Sequence, residues 1–376
     1  MPSNSESQTT TASQESIPFL LPEDLCCDPN GGAKFTFVAT PTGIYVGLLF
    51  DNASALNNSG TPLVSQAECL HNAWLDEINH QAALGKVNAE IAAAAATVKL
   101  EDLSKVAFEV NLASGSALSW SEYLVIEDKI MRIIHDKNVG NIFCKLISIT
   151  DVLAECVRLK NAHPEETDFS SISGFAPSIE GWLNSTPGFF EDKVFNLLCF
   201  KDLLWPNIVE SNGGAELLAS NLLRDPKILK QAVATVLFDK MSLPGLGQVS
   251  LERAKKLKIQ PFTPETSEFL QRWLYLKVFS KTYFGAAHGG LSVISGCNNL
   301  IAGILSALLF AKAHALSRNE KEIRLNDLQQ GILAHEKENN ALSNLEKDKA
   351  EFFDSAFSSP RLFTRLVGQM GKTVAN

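Results

Sequence analysis

Thr263-Pro-Glu-Thr-Ser-Glu-Phe-Leu-Gln-Arg-Trp-Leu-Tyr-Leu-Lys-Val-Phe-Ser-Lys281, then Gly285-Ala-Ala-His-Gly-Gly290, then Leu291-Ser-Val-Ile-Ser-Gly-Cys-Asn-Asn-Leu-Ile-Ala-Gly-Ile-Leu-Ser-Ala-Leu-Leu-Phe-Ala-Lys-Ala-His-Ala315 reads as two apolar helices with a glycine joint. Thr263 suits an N-cap, because its hydroxyl can accept from the free N–H groups of a first turn. Pro264 at the first helical position and Glu265 beside the positive dipole end agree with that start. Phe269, Trp273 and Leu276 recur at three- and four-residue spacing, which predicts one buried face. Gly285, Gly289 and Gly290 end the helix.

The second helix is expected from about Leu291 to about Arg318. No formal charge falls between Gly285 and Ala311, and Gly303, Ala307, Ala311 and Ala315 lie four residues apart. Such a ridge of small side chains lets another helix approach closely. The run is long enough to cross a bilayer. Ser295, Asn298 and Asn299 near its middle argue for a buried core helix instead, because unpaired amides are costly in hydrocarbon. Those amides are expected to pair with a neighbouring helix backbone.

Outward from this pair, the pattern is helical almost throughout, and the fold class is expected to be mainly α: a multi-helix bundle with a small N-terminal β-hairpin. The hairpin is Lys34 to Phe50, two short strands around Pro41-Thr-Gly43. Val106 to Leu112 alternates like a strand, yet Glu101 to Leu112 reads equally well as a helix. Ser119 with Glu122 forms a capping box, followed by Tyr123, Ile126, Ile130, Ile133 and Ile134 on one face. Asn141 to Asn161 continues as the partner of a helical hairpin. Shorter helices follow at Glu191 to Leu204, Ala215 to Leu223 and Pro226 to Met241, with Leu243 to Gly247 as a loop. Ser250 to Lys258 is a short basic helix, expected to be solvated, though its charge also suits an acidic partner. Glu336 to Glu351 is dense in mixed charge and reads as an exposed helix. The expected organisation is a tail at 1–16, an N-terminal region at 17–162, a linker at 163–177 and a helical domain at 178–368.

The 376 residues are 45% hydrophobic and 20% charged, which is the make-up of a chain with a sizeable core. A net charge of −9 argues against nucleic acid as partner, since phosphate binding needs a basic surface. It also supplies no polybasic handle for lipid, so another protein is the expected partner. Seven cysteines at irregular spacing, and no apolar signal segment near Met1, predict free thiols in the cytoplasm.

No motif fixes a reaction. Gly245-Leu-Gly247 lacks the preceding strand and third glycine of a phosphate loop. Cys26, Cys27, Cys69 and His71 are the candidate metal ligands, although adjacent cysteines do not readily face one ion. His288, at the joint of the central pair, is the best-placed imidazole, with helix capping as its simpler role. His335 and Glu336 lie on the charged helix and are expected in solvent.

Trp120 to Lys137 with Phe143-Cys-Lys-Leu146, and Leu270 to Phe279 continued through Ile301–Ala315 and Ile323–Leu328, resemble segments of the flagellin lysine-N-methylase family and its cysteine-cluster relatives. The resemblance covers roughly a third of the chain and is carried by apolar helix pattern. It implies protein lysine methylation with S-adenosylmethionine, and an iron–sulfur or other metal centre on an N-terminal cysteine cluster. Here only Cys26, Cys27 and Cys69 fall in that region, and no catalytic residue carries across. The alternative expectation is a non-catalytic helical scaffold or interaction module.

Overall fold

The computed structural model describes residues 19–20, 33–50, 110–165, 167–172, 181, 188–205, 226–243, 245–285, 288–342, 354 and 357–374. In chain order these form β1 (Phe19–Leu20), β2 (Ala33–Thr40), β3 (Gly43–Phe50), β4 (Val110–Ala113) and β5 (Ser116–Leu118). Next come α1 (Trp120–His135), α2 (Ile142–Ala162), α3 (Phe189–Leu203) and α4 (Pro226–Phe238). After β6 (Lys240–Leu243) and β7 (Gly247–Ser250) come α5 (Leu251–Lys256), α6 (Pro264–Phe279), α7 (Val293–Ser317), α8 (Leu325–Leu342) and α9 (Pro360–Gly371). The fold is mainly α, built around α7.

Strands β2 and β3 pair antiparallel across the Pro41-Thr42 turn, from Thr40 opposite Gly43 to Ala33 opposite Phe50, and β1 adds in parallel beside β3. The sheet rests on the bundle through Tyr45, whose ring meets Phe279 edge-on at 5.4 Å. Trp120 Nε1 donates to Thr42 Oγ1 at 3.3 Å and fixes the turn against α1. Two further hairpins are present among the described residues. β4 pairs with β5, which resolves the ambiguous segment as strand from Val110 onward. β6 pairs with β7, so the expected loop at 243–247 is a hairpin turn, and α4 stops at Phe238 rather than Met241. Gly245 and Gly247 both hold positive φ, 77° and 69°, which a side chain would oppose.

The helix starts follow their chemistry. Ser119 and Glu122 exchange the two bonds of a capping box, Glu122 N–H to Ser119 Oγ at 3.2 Å and Ser119 N–H to Glu122 Oε2 at 2.7 Å. Thr263 Oγ1 accepts from the Thr266 N–H at 3.2 Å, ahead of Pro264. Ser292 caps the central helix close to the expected start, its hydroxyl accepting from the Ser295 N–H at 3.4 Å.

Helix α7 is long and apolar enough to cross a membrane, and its most apolar window is wholly buried by the rest of the chain. Its small residues let α8 come close. A Cβ on Gly303 would lie 2.4 Å from the His335 ring, and one on Gly331 would lie 2.5 Å from the Ala307 Cα. At the other end, a Cβ on Gly296 would lie 2.0 Å from the Tyr283 carbonyl oxygen. Helices α2, α3 and α9 complete the shell, with Thr150 Oγ1 and Thr364 Oγ1 bonded at 2.8 Å between α2 and α9. One apolar core joins residues from Val110 to Val374, Phe169 and Ile172 among them.

Candidate functional site

The ionisable residues that gather most densely do so inside the bundle, where α3, α6, α7 and α8 meet. Lys201, Asp202, Lys277, His288, Asn299, His335 and Glu336 are all buried. Lys201 Nζ donates to Asp202 Oδ1 at 2.9 Å and to Asn299 Oδ1 at 3.2 Å. Asn299 Nδ2 then meets His288 Nε2 at 3.1 Å. His335 Nδ1 lies 3.3 Å from Asp202 Oδ1. Glu336 accepts from Trp273 Nε1 and from Lys277 Nζ, both at 2.6 Å. Complete burial works to raise the Asp202 carboxyl, but Lys201 and His335 overcome it and hold the group well below the usual carboxylate range. Burial first, then the nearby cations, brings His288 down to about 3. Its imidazole is therefore neutral at pH 7, and Nε2 accepts the Asn299 amide proton.

Every member of this cluster is buried among the described residues. Cys199 sits one turn before Asp202, but burial raises its thiol far above the ordinary range, and its nearest polar contact is Ser306 Oγ at 3.9 Å. The His335 ring is stacked under Gly303 and edge-on to Trp273 at 5.8 Å. Asp202 Oδ2 is buried without a hydrogen-bond partner among the described residues.

A second buried group lies at the end of α6. Lys281 adopts φ 57°, a left-handed conformation that is uncommon for a residue with a Cβ. Its ammonium donates to Glu127 Oε1 at 2.7 Å and to the Phe279 carbonyl at 2.8 Å, and stands 3.5 Å from the centre of the Tyr45 ring. Tyr123 donates to the other oxygen of Glu127. Burial lowers Lys281 to about 8 and raises Glu127, each partner opposing the shift of the other. The contacts of the head group hold the backbone in its strained state.

Two surface features stand out among the described residues. A groove of about 910 Å³ runs between α2 and the start of α9, lined by Asp151, Glu155, Arg158, Ile172, Ser359 and Arg361 among others. Glu155 and Arg158, one turn apart on α2, pair with each other along one wall at 2.5 Å. The other feature is the outer end of the α3–α4 pair, where Phe189 is 79% exposed, Phe190 75%, Phe238 66% and Leu237 55%.

Cys26, Cys27, Cys69 and His71 lie outside the described residues. Among the described residues no group of three or more His, Cys, Asp or Glu side chains is placed to hold a metal. His288 is not a helix cap but a partner of Asn299. Asn298 behaves as expected, donating to the Phe357 carbonyl at 2.6 Å. His335 and Glu336 are fully buried, which overturns the solvent-exposed reading. The overlooked signal is positional: Leu328, Ile332 and then His335 or Glu336 share one face of α8, and that face packs on α7. Lys255 is likewise buried, bonded to Asp192 at 2.6 Å and Asp239 at 3.1 Å, so the basic helix is solvated only in part. Comparison with protein-family models, curated proteins and solved structures finds no match.

Proposed function

We propose that this chain is a non-catalytic helical interaction module. One observation carries the reading: among the described residues the dense ionisable cluster of Lys201, Asp202, His288, His335 and Glu336 is buried in the bundle, while four large apolar side chains stand in water at one end of one helix pair. A monomer gains nothing from exposing Phe189, Phe190, Leu237 and Phe238 together, whereas a binding surface does. The experiment is capture from whole-cell extract by the full chain, compared with the double variant Phe190→Ser/Phe238→Ser. Material retained by the wild type and absent from the variant supports the module. Identical retained sets remove it.

The lysine-methylation reading rests on sequence likeness alone. Its separate test is calorimetry with S-adenosylmethionine, in which heat saturating at one equivalent would favour the enzyme.

A further inference from the structure

A buried cation ties the exposed end of the α3–α4 pair together. Lys255 on α5 bonds Asp192, two residues after Phe190, and Asp239, the residue after Phe238. Lys193 adds a second tie, donating to Asp239 Oδ2 at 2.7 Å while its ammonium lies 5.4 Å from the Phe189 ring centre. Asn196 Nδ2 bonds the Val236 carbonyl at 3.2 Å. The first turns of α3 and the last turn of α4 therefore form one rigid tip. Phe189, Phe190, Leu237 and Phe238 project from it.

The overall charge gives lipid no polybasic handle, but the sequence along α4 and α5, which lead to and from the tip, is locally basic. Residues 226–258 hold seven Lys and Arg against two acids, Asp239 and Glu252, in a chain of net charge −9, and the first-turn acids of α3, Glu191 and Asp192, are taken up by Arg365 and Lys255 as Glu252 is by Lys256. Helix α4 itself carries Lys227 and Lys230 and no acid. Lys230 and Lys240 are exposed, as are Arg253 and Lys256 on α5, the helix that Lys255 fastens to the tip. The apolar stripe extends back along α4 through Val233 to Leu229, at 37% and 50% exposure.

We propose that this tip docks onto an anionic lipid-bilayer surface, with the four apolar side chains entering the interface and the lysines and Arg253 facing headgroup phosphates and carboxylates. The proposal rests on the interaction-module reading and names its partner. Two arguments select the bilayer. The charge is complementary to anionic headgroups, whereas a second copy would bring the same cation-only helix to both sides of a two-fold seam. The shape also fits. Side chains exposed by half to four-fifths protrude and do not line a cleft, so they suit a deformable apolar medium better than the groove needed for a partner helix.

The experiment is co-sedimentation of the full chain with vesicles of phosphatidylcholine, alone or with about 30% phosphatidylserine. Binding is expected to the anionic vesicles only, and to fall as salt rises from about 0.1 to about 0.5 M. Phe190→Ser/Phe238→Ser is expected to weaken it roughly a hundredfold, about tenfold for each phenyl ring withdrawn. Lys230→Glu/Lys240→Glu tests the charge independently. Both pairs lie on the surface, and unchanged circular dichroism verifies that the variants fold. Equal binding to both vesicle types, no binding to either, or binding indifferent to both variants overturns the proposal. If vesicles fail while membrane-free extract still yields a partner that the phenylalanine variant loses, the tip docks a protein: the module stands and the lipid partner falls.

Discussion

Lys312 gives the sharpest test of how this core tolerates charge. It is fully buried on α7, and its ammonium donates to the Lys255 carbonyl at 3.0 Å and to Thr373 Oγ1 at 2.8 Å. No carboxylate is among these contacts. Its acceptors sit at the carboxyl ends of α5 and α9, where helix dipoles offer partial negative charge. That is weaker compensation than an ion pair, and burial lowers Lys312 from 10.5 to about 7. At about 1.4 kcal/mol for each pH unit between these values, the desolvated ammonium costs the fold about 5 kcal/mol below pH 7. Between pH 7 and 10.5 the folded chain holds fewer protons at this site than the unfolded chain, so this contribution makes stability rise with pH there. Lys312→Met keeps the stem and removes the charge, but leaves two acceptors without a donor, at about 1 kcal/mol or more each. The variant is therefore expected to be more stable than wild type by about 2–3 kcal/mol at pH 6 and less stable near pH 10. Urea unfolding of both proteins, followed by tryptophan fluorescence at several pH values, measures the difference, in which every other titration cancels. A difference that does not change with pH would refute the reasoning.

Glycine packing gives graded expectations. Gly296→Ala drives a Cβ into the Tyr283 carbonyl, a backbone atom that cannot turn aside, and is expected to cost about 3 kcal/mol or more. Gly303→Ala meets a side-chain ring instead and is expected to cost about 1–3 kcal/mol, despite the better helix propensity of alanine, as a shift in urea midpoint would show. The thiols of Cys156 and Cys297 are both pushed up to about 12 by burial, and Cys199 is raised further. All three are expected to resist a maleimide at pH 8 in the native protein and to label fully in urea. Mass spectrometry of the labelled peptides checks this, and rapid native labelling at any of the three would contradict the packing.

What was legible in the sequence was whatever is decided within one helix. The capping box at Ser119, the Thr263-Pro264 start and the small ridge of α7 are local statements, and the structure realises each. What failed was decided between helices. Glu336 opens a charged run, and charge density alone predicts solvent. Its burial follows from Trp273 and Lys277 on α6, which lie about sixty residues away in sequence and supply its hydrogen bonds. Lys201–Asp202 is illegible for the same reason, because its partners Asn299 and His335 come from two other helices. The hairpin at Lys240–Ser250 is not legible in sequence because four-residue strands give too short a run of alternation, although Met241 and Leu243 are buried and Lys240 and Ser242 exposed.

The same contrast explains why so apolar a bundle keeps ions inside. Gly303, Ala307 and Ala311 repeat every four residues, so a slide of α8 by one turn along α7 meets a surface that differs chiefly by the single Cβ then placed against the His335 ring. Apolar packing alone therefore specifies this register weakly. Glu336 occurs once, and only one register brings its two oxygens to Trp273 and Lys277. Removing the charge on one side strands the other: Glu336→Gln is expected to cost about 3 kcal/mol or more, by the rule for a broken buried pair. Removing both, in Lys277→Met/Glu336→Leu, is expected to restore most of that loss while blurring the register, seen as broadened amide resonances from α8 at unchanged helix content. A double variant with sharp, native-like resonances would show instead that the small ridge sets the register unaided and that the buried ions serve some other end.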